Sequence, residues 1–327
     1  MPFSLYLAPL HGVTNHVFRG AFFKFFPGFD AAYAPFIGSA GGTKIGEAHF
    51  KDLSPGVQSD TPLVPQILGN QGDDFLCTAE RLIAWGYTEI NWNLGCPFPM
   101  VANKQRGSGL LPYPDKIRLF LDQVCPRLSA ALSIKVRLGR TDPAELLALM
   151  PIFNEYPLAR VIIHPRIGVQ MYEGEVDLKG FERAASLCRH PVAYNGDITD
   201  AAAFASLRGS FPGVKEWMIG RGAIRDPFLP QRLKGISPSA DPLETLRAFH
   251  LELYTRYRDI LHGPRHVLDK MKEIWTYLRQ SFPDGIKASK DIIRAKDLEA
   301  YENGVEGMFE SYAQAAMSGG AGPRRPA

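Results

Sequence analysis

The stretch Asn91 to Leu111, NWNLGCPFPMVANKQRGSGLL, places one thiol where it could do chemistry. Residues Tyr87 to Leu94, YTEINWNL, read as a strand rich in aromatic and β-branched side chains, and Gly95, Pro97 and Pro99 stop it. Cys96 therefore sits at the C-terminal end of a strand, followed by a basic, glycine-containing loop. In barrels of alternating strands and helices that rim is where catalytic groups collect. A free cysteine is also commonly a small buried apolar residue, and position alone leaves both readings open.

Other candidates fall at the ends of other predicted strands. In LSIKVRL, Lys135 and Arg137 alternate with Ile134, Val136 and Leu138, so both cations point to one side. An inward lysine is costly to bury unless it meets an anionic or electron-rich ligand. Gln66 interrupts the apolar VPQIL; its amide needs partners, which a flat heterocycle or neighbouring backbone could supply. ARVIIH runs into PRIGVQMYEG, crowding His164, Arg166, Gln170 and Tyr172 past one strand end. Two glycine turns, Asn195 to Asp197 and Gly220 to Gly222, offer backbone N–H groups for a phosphate. Ala8 and Pro9 close the first strand with small side chains that let a flat ligand approach, although a plain turn explains them equally; His11 and His16 read as loop histidines.

Positioning these groups requires eight strands: Phe3–Ala8, Asp30–Ile37, Leu63–Leu68, Tyr87–Leu94, Leu132–Leu138, Arg160–His164, Val192–Asn195 and Glu216–Ile219. Helical patterns at Asp73–Trp85 and Tyr113–Leu132 flank the central strand. The order predicts a (β/α)8 TIM barrel followed by a small C-terminal all-helical domain. Expected boundaries are 1–237 for the barrel, 238–315 for the helical domain and 316–327 for a disordered tail containing GPRRPA. After the turn-rich GISPSADP, helices are predicted at Leu243–Leu261, His266–Phe282 and Ala288–Tyr312. In the second, Val267, Met271, Ile274 and Leu278 form an apolar stripe while Arg265, Lys272 and Arg279 recur every seventh residue elsewhere. That basic ridge suits RNA and suits a solvated face nearly as well.

With 327 residues, 45% hydrophobic and 22% charged, the chain can bury a sizeable core. A net charge of +3 permits a nucleic-acid partner without demanding one. The four cysteines, Cys77, Cys96, Cys125 and Cys188, show neither C-x-x-C pairs nor a histidine cluster, which argues against a metal site or disulfide framework. No apolar run is long enough for a membrane span, and MPFSLYLAPL lacks the basic start of a secretion signal, so a cytoplasmic location is expected.

Seven ordered blocks resemble the dihydrouridine synthases, flavin enzymes that reduce uridines of transfer RNA. They are APLHGVTNHVFR from Ala8, NLGCPFPMV from Asn93, GSGLL from Gly107, IKVRLG from Ile134, HPRIGVQMYEG from His164, NGDI from Asn195 and IGRGA from Ile219. HVLDKMKEIWTYLRQSF most resembles the bacterial subfamily C. The resemblance implies FMN as prosthetic group, NADPH as electron donor, transfer RNA as partner and a monomer without membrane attachment. It places Ala8 and Pro9 against the flavin ring, Gln66, Lys135 and His164 on the ring or ribityl chain, and Asn195, Gly196, Asp197, Gly220 and Arg221 at the phosphate. Cys96 would be the acid. Asn93, Lys104, Arg106, Arg137, Arg166 and Tyr172 would lie toward the uracil or RNA, with Arg265, Lys272 and Arg279 contacting RNA from the helical domain.

Two positions depart from the family pattern: Ala34-Pro35-Phe36 stands where an acidic residue is usual, and Pro165 where glycine is commoner. Two other readings remain at this point. One is an FMN barrel oxidoreductase acting on a free pyrimidine or other small molecule; the other is a non-catalytic RNA-binding relative.

Overall fold

A computed structural model of the chain describes residues 2–39, 46–57, 60–237 and 241–317. Of the tail expected over 316–327, residues 318–327 lie outside the described residues, as does most of the glycine-rich stretch after Gly38. Ten parallel strand segments run in chain order as β1 (Ser4–Leu7), β2 (Ala31–Tyr33), β3 (Ile37–Gly38), β4 (Leu63–Val64), β5 (Gln66–Leu68), β6 (Glu89–Leu94), β7 (Ala131–Gly139), β8 (Leu158–Ile167), β9 (Val192–Tyr194) and β10 (Glu216–Ile219). Their spatial order is β3-β5-β6-β7-β8-β9-β10-β1-β2-β4.

The ten segments make eight staves. The second and third staves, expected to be continuous, are each broken, at Ala34-Pro35-Phe36 and at Pro65. Proline has no N–H for the ladder, so pairing lapses at Pro35 and Pro65 and resumes beyond them. The halves still pair in step: Ala32 opposite Leu63 in β2 and β4, Ile37 opposite Ile67 in β3 and β5. This closes the TIM barrel.

The interior is layered, as parallel barrels require. At the N-terminal ends Arg160 Nη1 reaches Glu89 Oε2 at 3.0 Å and the Tyr33 hydroxyl at 2.8 Å, while its Nε lies 3.1 Å from Glu216 Oε2. Above it Tyr6, Ala8, Tyr33, Val64, Ile162, Ala193 and Met218 pack together. Outside the strands Trp92 stacks on Phe120 at 3.8 Å between ring centroids and donates to the Gly69 carbonyl at 2.9 Å.

By contacts, one unit comprises Met1–His11, Asp30–Asp197 and Ser206–Gly220, and a second gathers Gly12–Phe29, Ile198–Ala205 and the chain from Arg221 onward. Within the second, Asp241 caps the helix Pro242–Ile260 by accepting from Leu243 N and Glu244 N at 2.9 and 3.1 Å. The helix Pro264–Leu278 buries Val267, Met271, Ile274 and Leu278, the stripe anticipated from spacing. His250 is buried against Tyr301, whose hydroxyl lies 2.6 Å from its Nε2 and accepts from Trp275 Nε1 at 2.9 Å.

Two helices differ from expectation. The one predicted over Tyr113–Leu132 is Pro114–Val124, because Pro126 forbids continuation. The last is broken into Gly285–Ala288, Lys290–Arg294 and Leu298–Met317. Asp297 accepts from Ala300 N at 2.8 Å and starts a new helix there. Among the described residues no helix is long and apolar enough to cross a membrane.

Candidate active site at the barrel mouth

Alternation along β6 turns Glu89, Asn91 and Asn93 to the same side, and the last two build the floor beneath Cys96. Gln66 Nε2 donates to Asn91 Oδ1 at 2.7 Å, Asn91 Nδ2 donates to Ser133 Oγ at 2.8 Å, and Asn93 Nδ2 donates to Gln66 Oε1 at 2.7 Å. Strand register sets this chain of amides, with Gln66 opposite Asn91 and Asn91 opposite Ser133. Asn93 Oδ1 then accepts from Gly95 N at 3.0 Å and Cys96 N at 2.8 Å, folding the chain sharply after the strand.

The far side of the turn is pinned as well. Cys96 O accepts from Ser108 N and Ser108 Oγ, both at 3.0 Å. Gly107 has φ +55°, and a Cβ there would lie 2.8 Å from Cys96 Cβ, so only glycine lets the returning loop pass so close. Arg140 Nη1 donates to the Pro97 carbonyl at 3.0 Å, and Asn70 Nδ2 donates to the carbonyls of Lys104 and Gln105 at 3.2 and 3.1 Å. The Lys104 side chain projects into solvent, and Arg106 is half-buried.

Electrostatics separate the three groups around the turn. Burial pushes the Cys96 thiol up, against opposing pulls from the Phe98 N–H, Arg137 and Lys135, so it is held as a neutral thiol. Burial, reinforced by Arg137, pushes the Lys135 ammonium down to about 7. Lys135 Nζ has no hydrogen-bond or ion-pair partner among the described residues, which is unusual for a cation in a barrel interior. Burial also pushes Arg137 down to about 10; its Nε donates to the Gly95 carbonyl at 3.0 Å, its Nη1 to the Ile167 carbonyl at 2.9 Å, and its guanidinium carbon lies 5.3 Å from the Tyr172 ring centre.

Near the C-terminal end of β8, which runs past the expected end at His164 to Ile167, Arg166 organises a second cluster. Its Nη1 lies 3.3 Å from His164 Nε2 and 3.0 Å from Asp197 Oδ1, its Nη2 reaches Asp197 Oδ2 at 2.5 Å and the Gly174 carbonyl at 2.7 Å, and its Nε donates to the Glu173 carbonyl at 3.2 Å. Arg166 is buried, and Asp197 is held in left-handed backbone at φ +40°. Asn195 Nδ2 donates to the Met218 carbonyl at 2.8 Å, tying β9 to β10. A Cβ on Gly196 would lie 3.0 Å from Pro165 Cδ, and one on Gly220 3.4 Å from Ala8 Cβ.

The barrel unit thus carries Ala8, Pro9, Gln66, Asn93, Cys96, Lys135, Arg137, His164, Arg166, Tyr172, Asn195, Gly196, Asp197 and Gly220 on its strands and on the loops that follow them. Arg221, Arg265, Lys272 and Arg279 belong to the second unit. There Arg265 pairs with Asp269 at 3.0 Å, Lys272 Nζ donates to the Ala295 carbonyl at 2.8 Å, and Arg279 is half-buried. Asn91, Ser133, Ser108 and Arg140 were not anticipated. The period-two recurrence of Asn91 and Asn93 was the available signal for the first of these.

Comparison with known proteins agrees with this geometry. The chain is 26% identical over 314 residues to a tRNA-dihydrouridine(16) synthase of Cupriavidus necator, covering 93% of this chain and 97% of the relative. It is 27% identical over 314 residues to a protein of the same name from Ralstonia nicotianae, covering 90% and 92%. Among solved structures, morphinone reductase superposes with a TM-score of 0.50 at 13% identity, over 75% of this chain and 88% of that one, a likeness of barrel alone. A dihydrouridine synthase (Dus) profile matches residues 6–308, and the chain belongs to that family.

Proposed function

We propose that this protein reduces the carbon 5–carbon 6 double bond of a uridine in transfer RNA, with FMN bound in the barrel mouth and NADPH as electron donor. Position 16 is the uridine we assign, because it is the one in the names of the Cupriavidus and Ralstonia relatives. The observation that carries the reading is Cys96: a thiol kept protonated by burial, locked in a turn by Asn93 and Ser108, beside two cations.

The residues present fit a flavin. Lys135 Nζ, without a partner among the described residues, suits an electron-rich ring edge. Gln66 is fully buried, with its amide held between Asn91 Oδ1 and Asn93 Nδ2, and would lie beneath the ring. His164 would meet the ribityl chain, the turns at Asn195, Gly196, Asp197, Gly220 and Arg221 the phosphate, and Ala8 and Pro9 one face of the ring. When bound and reduced, FMN supplies the hydride that goes to carbon 6 of the uracil.

The remaining chemistry belongs to the chain itself. Cys96 Sγ donates its proton to carbon 5, and its elevated pKa ensures that the proton is there at neutral pH. Arg137, within electrostatic reach of Sγ, stabilises the thiolate left behind until solvent reprotonates it. Asn93 fixes Sγ through the backbone turn, while Arg166 acts through His164 and the Glu173–Gly174 turn that it holds. Tyr172 packs on Arg137 at the approach to the thiol. The target base must leave the RNA stack to reach this depth. Lys104 and Arg106 on the Cys96 loop, with Arg265, Lys272 and Arg279 in residues 238–315, would hold RNA backbone.

The test is biochemical. Purified protein should carry a flavin absorbance spectrum, be reduced by NADPH, and be reoxidised by transfer RNA with dihydrouridine formed. Turnover with free uridine or uracil but not with transfer RNA would instead establish the small-molecule reading. RNA binding without retained flavin would establish the non-catalytic one.

A further inference from the structure

The loop that carries Cys96 turns apolar side chains toward solvent. Phe98 is 43% and Met100 85% exposed, although Cys96 and Pro97 just before them are buried. Pro99 between them is exposed too, and it begins the short helix Pro99–Ala102. The turn is held from its other side: Ala102 is buried, and a Cβ on Gly109 would collide with the Ala102 carbonyl, so the loop packs too closely there to roll over. Arg137 and Arg140 bridge this loop to the end of β8 and the residues beyond. Arg137 reaches the carbonyls of Gly95 and Ile167; Arg140 donates to the Pro97 carbonyl, and its own carbonyl accepts from Val169 N at 3.0 Å. Val169 and Tyr172, also exposed, give that side an apolar edge as well.

Single apolar side chains on a surface are ordinary, but a run of three held at the lip of a reactive site points to something that covers them. The residues around the run indicate what that is. Pro97 to Pro112 contains Lys104 and Arg106 and no acid, so the lip joins apolar surface to positive charge, the combination that binds unpaired nucleic acid. Cys96 is buried behind it, so a base reaches the thiol only after leaving its stack. Extrusion uncovers the faces of the neighbouring bases, and an apolar side chain such as phenylalanine or methionine entering the gap covers them again.

We infer that Phe98 and Met100 hold the target uridine out of its stack, Phe98 by packing on the face of the flanking base that extrusion uncovers and Met100 by filling the space beside it. The inference rests on the proposed uridine reduction for its substrate, and it gives a step that this reduction requires to two side chains outside the flavin and thiol machinery. Neither side chain is charged, so the ridge acts on the position of the base and not on phosphate.

The experiment uses the full-length protein with Phe98→Ala, Phe98→Tyr and the double variant Phe98→Ala with Met100→Ala. Alanine at 98 keeps the backbone N–H that faces the thiol, and Met100 lies almost wholly in solvent, so the variants should unfold at the parent temperature and be reduced by NADPH at the parent rate. The probes are a transfer RNA transcript and two copies of it, each lacking the base on one side of the target uridine. Affinity and single-turnover dihydrouridine formation are measured with all three. On the intact transcript Phe98→Ala should lower affinity roughly tenfold, and the double variant further, with the salt slope unchanged because no charge is lost. On the transcript missing the base that Phe98 covers, parent and Phe98→Ala should be alike, since the contact is already gone. Phe98→Tyr, which keeps the ring, should restore the parent values. Losses of equal size on all three transcripts would mean a structural role for Phe98 and overturn the inference. So would a double variant that matches the parent throughout, and if that variant were also monomeric where the parent is dimeric, the ridge would belong to a second copy of the chain. Affinity is read without turnover, so a parent that binds the transcript but forms no dihydrouridine counts against the proposed activity while the affinity comparison still decides the role of the ridge.

Discussion

Asn93→Ala isolates what the amide floor does for Cys96. The side chain is 7% exposed and satisfies three groups at once: the N–H of Gly95, the N–H of Cys96 and the Oε1 of Gln66. Alanine leaves all three without their partner. Each buried orphan costs about 1–3 kcal/mol, so the low end gives about 3 kcal/mol in total, before any gain from water entering the gap. For a barrel of this size that corresponds to a fall in Tm of roughly 6–12 °C. Asn93→Asp is the informative companion, because it keeps the acceptor for both backbone N–H groups but faces Gln66 Oε1 with a second acceptor. Gln66 can meet the carboxylate only by turning its amide over, which requires Asn91 to turn with it and accept from the Ser133 hydroxyl.

Both variants should be examined by thermal unfolding and by rates of flavin reduction and of dihydrouridine formation. Flavin reduction by NADPH should persist in both, and dihydrouridine formation should fall, more in the alanine variant. An alanine variant with the parent's Tm and the parent's product rate would refute the role assigned to this side chain.

Further outcomes follow from the same geometry. Cys96→Ala should retain flavin and its reduction by NADPH while losing about 10²–10⁴ in dihydrouridine formation; measurement by rapid mixing separates the two half-reactions. Lys135→Met should raise the Tm of the flavin-free protein at neutral pH and weaken flavin binding, because a lysine held near 7 rather than at its usual 10.5 is charged more easily in the unfolded chain. That penalty grows as pH falls from 10.5 toward 7, so the gain in Tm should vanish at high pH. Burial pushes His250 down to about 3 from an ordinary 6.5. Below pH 6.5 the unfolded chain takes up a proton that the folded unit refuses, and stability should fall by up to about 1.4 kcal/mol per pH unit until pH 3, a slope that urea titrations of His250→Phe should lack.

Much of the site could be read from residue order because its positions lie at strand ends marked by glycine and proline. Cys96 after Asn93-Leu94-Gly95, and the inward pair Lys135 and Arg137, follow from the two-residue period of a strand. Gln66 was seen to need partners, but the choice among them depends on which strands are neighbours and in what register, information held by β5, β6 and β7 jointly. The same holds for the Arg160 cluster, which joins Glu89 and Glu216 from distant parts of the chain. The broken staves at Pro35 and Pro65 were legible in principle, since proline cannot donate to a ladder, yet the apolar runs around them read as continuous strand. The last helix was misread because Asp297 can lie inside a helix or cap one, and only the packing of the helix from Leu298 decides.

The central claim is reduction of a uridine in transfer RNA, and its most direct test is mass-spectrometric mapping of dihydrouridine in RNA from a strain lacking this gene and from the same strain with it restored. The account predicts loss of dihydrouridine at transfer RNA position 16, return with the intact gene, and no return with Cys96→Ala. An unchanged map in the deletion strain, with purified protein inactive on unmodified transfer RNA, would contradict it.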